Sequence, residues 1–307
     1  MKIMALIVTY NRLELLKRIL KTYDEQIKKV DAILVVNNNS TDKTSIYLKE
    51  WKLKEETYKK YVINLSENLG GSGGFYEGLK FFSNSEYDWC FLSDDDAYLE
   101  KNCIQNLYKH IKENNLNNDI SAICSEVISN GKVGTVHRRV IKQGLINVYD
   151  KEIPESDYSK KSIEINALTY VGVAINKQKL LEAGLTNKDY FIHYDDTEHS
   201  YRLSKVGKII VYPDIIMHHD VKENASSSRK VTWTYYYDVR NILVFYKYNF
   251  KKVSFYSRIL YEIIKSIGRL ILRHDSNALK IVRIAIHDAR IEKMGKNSIY
   301  KPGWKNE

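Results

Sequence analysis

The chain has 307 residues, 44% hydrophobic and 28% charged, with three prolines, fourteen glycines and 24 tyrosines; this excludes disordered and fibrous polymers and fits one large domain or a domain with an appendage. Residues 251–307 hold 13 Lys/Arg against 5 Asp/Glu, so this segment carries +8 of the formal +10 and the first 250 residues are nearly neutral. Charge confined to one end argues against a nucleic-acid-binding groove and for an anionic surface met by the tail.

Lys2 to Thr9 is a short Ile- and Val-rich run closed by Tyr10-Asn11-Arg12, and Leu13 to Tyr23 then repeats apolar residues at helical spacing. Ala32 to Val36 followed by Asn37 to Asp42 repeats the design ahead of a helix from Lys43 to Trp51. A third strand, Tyr61 to Leu65, leads into the glycine-rich turn Gly70 to Phe75 and a helix from about Tyr76 to Phe82. Further strands are expected at Trp89–Leu92, Ser121–Ile128, Leu168–Ile175, Ile209–Tyr212 and Ile215–Met217, with a polar cluster opening a helix at His193 to Arg202. Ser226 to Lys230 reads as a mobile loop, and the chain after about Thr232 as helical and basic. Strand–helix alternation with fully apolar strands predicts a doubly wound α/β fold with a mostly parallel sheet, residues 1–230, and a helical basic extension, residues 231–307. Cys90, Cys103 and Cys124 match no zinc spacing and read as reduced, structural thiols. No stretch is long and apolar enough to cross a membrane, and the start lacks the charged lead of a signal peptide, so a cytoplasmic protein is expected.

In such sheets ligands sit beyond the carboxyl ends of the strands. Four polar segments follow strands there: Thr9–Arg12, Asn37–Asp42, Asn68–Phe75 and Asp94–Asp96. Three aspartates after a buried strand need a cation, and in extended chain Asp94 and Asp96 point one way while Asp95 points the other. Oxygen ligands favour Mg2+ or Mn2+, although a solvated acidic turn would read the same way. The glycine run suits close approach of a phosphate or sugar and is not a Walker loop, since no Lys-Ser/Thr follows. His193-Tyr194-Asp195-Asp196-Thr197-Glu198-His199, with Arg202 one turn on, is dense enough for proton transfer, although Asp195 or Thr197 alone could be a helix cap. His218-His219 after a strand offers a nitrogen ligand that would complete a metal site.

Taken together, these segments resemble the family 2 glycosyltransferases of GT-A fold, and within them bacterial galactofuranosyl- and rhamnosyltransferases. The matching residues are Val8 to Arg12, Val36 to Asp42, Asn68 to Phe75, Asp94 to Asp96, Asp195-Asp196-x-Glu198, His218, Tyr236-Tyr237-x-x-Arg240-Asn241 and Lys293 to Lys296. Asn37 stands where many relatives carry Asp, and the glycine run ending at Phe75 looks like the galactofuranosyl version. The resemblance implies that Thr9, Tyr10, Arg12, Asn37, Asn38 and Asp95 hold the nucleotide, and that Asn68, Gly70, Gly71, Gly73, Gly74 and Phe75 shape the donor-sugar pocket. It also implies that Asp94, Asp96 and His218 bind the metal and that Asp196, in preference to Asp195, is the catalytic base. Tyr194, Glu198, His193, His199, His219, Arg202, Tyr236 and Arg240 would position the acceptor or support that ring of residues. The expected reaction is inverting transfer of galactofuranose from UDP-galactofuranose to a lipid-linked cell-surface glycan. The alternatives are rhamnosyl transfer from dTDP-rhamnose and a non-catalytic glycan-binding relative. No organic cofactor is implied, and self-association into a homo-oligomer is compatible with the sequence.

In the tail, Arg258, Lys265, Arg269 and Arg273 fall on one side of a helix and Tyr256, Leu260, Ile263, Ile267 and Ile271 on the other. The expectation is a basic amphipathic helix at the inner face of the plasma membrane; the alternative is a helix that packs its apolar face on the catalytic domain. Trp233 and Tyr235 to Tyr237 are expected to offer aromatic surface to sugar rings or an interface.

Overall fold

A computed structural model describes residues 1–114, 119–219 and 230–305. Ile3–Thr9 (β1) is buried along its whole length, and its alternate residues enter two different cores. Ile3, Ala5 and Ile7 pack with Leu16, Ile19, Leu20 and Tyr23 of helix α1 (Leu13–Asp24), whereas Met4, Leu6 and Val8 pack with Phe75, Leu79 and Phe82 of helix α3 (Gly70–Ser83). A strand buried on both faces reads as a continuous apolar run, which is why β1 and its neighbours show no alternation in sequence.

Around β1 stand β2 (Ala32–Asn37), β3 (Lys59–Asn64) and β4 (Trp89–Asp94), joined by parallel pairing in the order β4-β1-β2-β3. Helix α2 (Thr44–Leu53) links β2 to β3. The chain continues through β5 (Ala97–Leu99), α4 (Cys103–Asn114), β6 (Ile120–Ser129), β7 (Lys132–Val133), β8 (Arg138–Gln143), β9 (Val148–Glu152), β10 (Ile163–Ile165), β11 (Ala167–Leu168), β12 (Val173–Asn176), α5 (Lys177–Ala183), α6 (Asp195–Val206) and β13 (Lys208–His219). Strand β12 joins β4 and β6 antiparallel, and β6 and β13 run parallel, so the main sheet is mixed and largely parallel. Strands β11, β8 and β9 form a separate small sheet.

Three expectations about elements change. The glycine run is not a turn ahead of a helix but the first turns of α3 itself. A Cβ on Gly74 would sit 2.4 Å from Val8 Cγ1, and one on Gly78 2.4 Å from Leu6 Cδ1, so glycine lets the helix lie directly against β1. The expected strand Leu168–Ile175 divides into β11 and β12, and the two expected strands at 209–217 are one strand with an irregularity between Tyr212 and Ile216, next to Pro213. The expected loop at Ser226–Lys230 lies outside the described residues except for Lys230.

Helices α7 (Thr234–Asn249), α8 (Lys252–Arg273) and α9 (Ser276–Arg290) follow. Tyr235, Tyr236 and Tyr237 are buried in the core between them, so they present no aromatic surface, whereas Trp233 reaches the cleft described below. The orientation of α8 is the reverse of the alternative in which its apolar face packs on the catalytic domain. Its polar side faces the protein: Arg258 pairs with buried Glu262 and lies 5.6 Å from the Tyr246 ring, and Lys265 and Arg269 lie 5.8 and 5.2 Å from that of Tyr235. Its apolar side, Tyr256, Leu260, Ile267 and Ile271, faces outward. Ile263 sits at the edge and packs inward. Cys90, Cys103 and Cys124 are buried free thiols.

Candidate active site

The chain adds β2 and β3 on one side of β1 and then returns to place β4 on the other, so the strand order reverses beside β1. The carboxyl ends at such a reversal splay apart and leave a crevice. Val8 pairs with Asp94 in register, which puts Thr9 and the aspartate triplet side by side at that crevice. A cleft of about 560 Å³ opens there, lined by Thr9, Tyr10, Arg12, Asn38, Asn68, Gly70, Gly71, Phe75, the three aspartates, Tyr170, Phe191 to His193, Asp195, Asp196, Trp233 and Pro302.

Asp95 turns toward β1: the Thr9 hydroxyl donates to it at 2.6 Å, and Arg12 Nη1 reaches it at 3.1 Å and Asp96 at 2.8 Å. Asp94 and Asp96 share the other side with His219, and one ligand atom from each of the three lies within 4.8 Å of the others. His219, not His218, is therefore the histidine beside the carboxylates. Strand β5 pairs with β13, and successive β13 side chains alternate across the sheet. This sends His219 toward Asp96, with its Nε2 at 3.2 Å from Oδ1, and His218 to the opposite face, where it stacks on Tyr98 and meets Glu100 at 2.6 Å.

Burial pushes Asp94 up to about 8, with repulsion from Asp96 and Asp95 adding to it. Burial likewise lifts Asp95 to about 6, moderated by Thr9 and Arg12. Burial works against ionised Asp96 as well, but the His219 contact and Arg12 offset it and hold Asp96 below its usual value. The His219 Nδ1 is buried and makes no hydrogen bond among the described residues. Two carboxylates and an imidazole with a free ring nitrogen, gathered where burial opposes uncompensated negative charge on Asp94, fit a hard or borderline divalent ion such as Mg2+ or Mn2+.

Across the cleft, α6 opens with Asp195 and Asp196. Thr197 holds Asp196 in place: its amide donates to Asp196 Oδ1 at 2.6 Å and its hydroxyl lies 3.2 Å away, while Arg139 Nη2 donates to that hydroxyl at 2.6 Å. Burial raises Asp196, against the opposing charge of Arg139, and burial together with Asp196 lifts Asp195 to about 7. His193 enters the cleft with its Nδ1 2.6 Å from Asp238 Oδ1.

The segment carrying these groups is strained. Phe191 (φ +68°, ψ −57°) is the centre of a γ-turn closed by a 2.9 Å bond from the Ile192 amide to the Tyr190 carbonyl, and His193 and Tyr194 also have positive φ. Asn241 and Arg240, on α7, clamp it. The Asn241 amide donates to the carbonyls of Tyr190, Ile192 and His193, and Arg240 donates to those of Tyr190 and Gly295. Gly70 completes the support: its φ is +74°, and a Cβ there would lie 1.9 Å from the Phe191 carbonyl oxygen.

The structure thus gathers Thr9, Tyr10, Arg12, Asn38, Asn68, Gly70, Gly71, Phe75, Asp94 to Asp96, His193, Asp195 and Asp196 at one cleft, with His219 behind the aspartates. Other candidate residues lie in its framework. Asn37 is buried, its amide donating to Ser45 and Asn64 and its oxygen accepting from the Ser40 amide. Gly73 and Gly74 pack on Leu69 and Val8. Tyr194 is the residue from which α6 begins. Glu198 binds Arg202, which also donates to the Leu185 carbonyl. His199 is buried between the Tyr170 hydroxyl and the Gly184 carbonyl. Tyr236 donates to Asp288. Arg139 and Asp238 were not singled out in the sequence, since each reaches the site from an element at least 40 residues from the group it touches.

Four likenesses bear on this geometry. Residues 4–174, more than half of the chain, match the family model described as glycosyl transferase family 2. A 93-residue segment is 32% identical to galactofuranosyltransferase GlfT1 of Mycolicibacterium smegmatis, and the match covers 30% of this chain and 29% of that relative. GalNAc-T7, solved with UDP, GalNAc and Mn2+, superposes with a TM-score of 0.63 at 13% identity over 93% of this chain and 54% of its own. TarS 1–349 of S. aureus, solved with UDP-GlcNAc, superposes with a TM-score of 0.59 at 16% identity over 95% of this chain and 88% of its own. The chain therefore spans about three tenths of the curated relative and about half of GalNAc-T7. The two superpositions establish the GT-A-like fold, and the family match, covering the strands that end at Thr9 and Asp94, makes the chain a member of glycosyl transferase family 2.

Proposed function

We propose that this chain is an inverting, metal-dependent transferase that moves galactofuranose from UDP-galactofuranose to a hydroxyl of a lipid-linked cell-surface glycan. In this reading residues 1–230 form the catalytic unit and residues 231–307 an extension. The carrying observation is that Asp94, Asp96 and His219 converge on one side of a single cleft while Asp196 stands on the other, held through Thr197 and Arg139. The donor is favoured by the match to a galactofuranosyltransferase and by the glycine run ending at Phe75.

Asp94, Asp96 and His219 would hold Mn2+ or Mg2+, which when bound supplies positive charge against the leaving diphosphate. Arg12 and the open start of α3 at Gly70 and Gly71 face the same space and add a cation and unblocked backbone for the diphosphate and sugar. Asp196 takes the proton of the acceptor hydroxyl as that oxygen bonds to the anomeric carbon and the bond to the diphosphate breaks. Burial raises the carboxyl above its ordinary value, which makes it a stronger base than a solvated carboxylate. With one base on the face opposite the leaving group, the anomeric configuration inverts.

Asp196→Asn tests the reading. It preserves shape and should keep Mn2+-dependent UDP binding within about threefold while lowering sugar transfer by at least about a hundredfold. Transfer at wild-type rates would remove Asp196 from its assigned role.

A further inference from the structure

Val253, Tyr256, Leu260, Ile264, Ile267 and Ile271 recur along α8 at intervals of three and four residues, and all six are exposed, Leu260 at 57%, Ile264 at 59% and Ile271 at 65%. The row is about 27 Å long at 1.5 Å per residue. A continuous exposed apolar stripe of this length on a folded chain marks a surface that something covers.

The charge around it identifies the cover. Lys252 on α8 and Lys280 and Arg283 on α9 are exposed. Among the described residues of the same segment the acids are withdrawn: Glu262, Asp275 and Asp288 are buried, and Glu292 is paired with Lys247. The outer surface of α8 and α9 is thus apolar and cationic. A second copy would bring cations against cations, whereas anionic headgroups complement them while the stripe enters the acyl boundary. No helix among the described residues is long and apolar enough to cross a membrane.

We propose that α8 lies in the plane of an anionic bilayer with its apolar stripe inserted, and that this, rather than attraction to a basic face alone, holds the protein at the membrane. The inference deepens the reading of a lipid-linked acceptor, since a helix lying on the bilayer keeps the chain near such a substrate, but it is carried by the α8 surface and its test does not use sugar transfer. The full chain is sedimented with vesicles of phosphatidylcholine and with vesicles of equimolar phosphatidylcholine and phosphatidylglycerol. The wild type should bind the anionic vesicles far better. The triple variant Leu260→Gln/Ile264→Gln/Ile271→Gln, altered only at exposed positions, should lose at least about tenfold in vesicle affinity while keeping Mn2+-dependent UDP binding. Vesicle binding unchanged in the variant, or absent in the wild type, overturns the proposal. So does a wild-type dimer in sedimentation velocity that the same variant dissociates, which would assign the stripe to a second copy. Failure of UDP binding in both proteins, with vesicle binding intact, would count against the active-site reading and leave this one standing.

Discussion

Asn241 is where the strain of the active-site segment can be measured. Phe191, His193 and Tyr194 each have positive φ, and such residues cost about 1–3 kcal/mol apiece. The segment therefore holds its shape only while its surroundings supply a comparable restraint. The Asn241 amide reaches the carbonyls of Tyr190, Ile192 and His193 at 3.1, 2.8 and 2.9 Å, and its oxygen accepts from Arg240 Nε at 2.9 Å. Its two amide hydrogens make at least two strong bonds, and a buried acceptor left without its donor costs about 1–3 kcal/mol. Asn241→Ala should then lower stability by about 2–4 kcal/mol, which overlaps only the low end of the roughly 3–9 kcal/mol that three such residues store. The segment should relax, shifting Asp195 and Asp196, which follow it directly. Displacements of this kind typically lower turnover by one to two orders of magnitude. Asn241→Asp is nearly isosteric but aims a carboxylate at three carbonyl oxygens, so it should be at least as damaging. Urea unfolding followed by tryptophan fluorescence reads the first effect, and metal-dependent nucleoside diphosphate release by the folded variants reads the second. A stability loss under about 1 kcal/mol with turnover unchanged in both variants would refute the clamp.

Neighbouring glycines should respond in opposite ways. Gly70→Ala, at φ +74° and against a backbone oxygen, should lose at least about 2 kcal/mol, whereas Gly71→Ala, whose Cβ meets nothing within 4 Å, should gain up to about 1 kcal/mol from helix propensity while its methyl, at the cleft wall, raises the donor KM; thermal unfolding and steady-state kinetics separate the two effects. His219→Ala should weaken Mn2+ binding at least tenfold in the presence of UDP, and His218→Ala should leave it within about twofold, as measured by the loss of the free Mn2+ resonance. His199 is held near 3 by burial, so in the unfolded chain it takes up a proton below about 6.5 while in the folded chain it stays neutral. The stability it contributes is present above pH 6.5 and is lost as pH falls toward 3. The stability difference between wild type and His199→Gln should therefore shrink by about 1.4 kcal/mol per pH unit below 6.5, and a difference independent of pH would contradict the assignment.

Much of the first half of the fold was legible because its strands are buried on both faces and so appear as unbroken β-branched runs, as in Ala32–Asn37 and Trp89–Asp94. The start of α3 was not, because four glycines in five residues argue against a helix; the approach of Val8 explains Gly74, and the positive φ against the Phe191 carbonyl explains Gly70. The choice between His218 and His219 depends on the register of β13 with β5, a non-local pairing. Periodicity gave α8 two faces but not which of them the protein would cover, and tyrosine rings at 235 and 246 turned the basic one inward. Arg139 and Asp238 carry no local signal, since an arginine on a strand and an aspartate on a helix are ordinary until Thr197 and His193 are found beside them.

The most direct test of the whole account is nucleoside diphosphate release from UDP-galactofuranose by the purified protein, with Mn2+ or Mg2+ and with EDTA, against a panel containing dTDP-rhamnose, UDP-GlcNAc and GDP-mannose. The account predicts turnover of UDP-galactofuranose that EDTA abolishes and added Mn2+ restores. Turnover of dTDP-rhamnose instead would keep the chemistry assigned to Asp94, Asp96, His219 and Asp196 and discard the donor. Turnover of UDP-galactofuranose undiminished by EDTA would contradict the central claim that these two carboxylates and one histidine work through a metal.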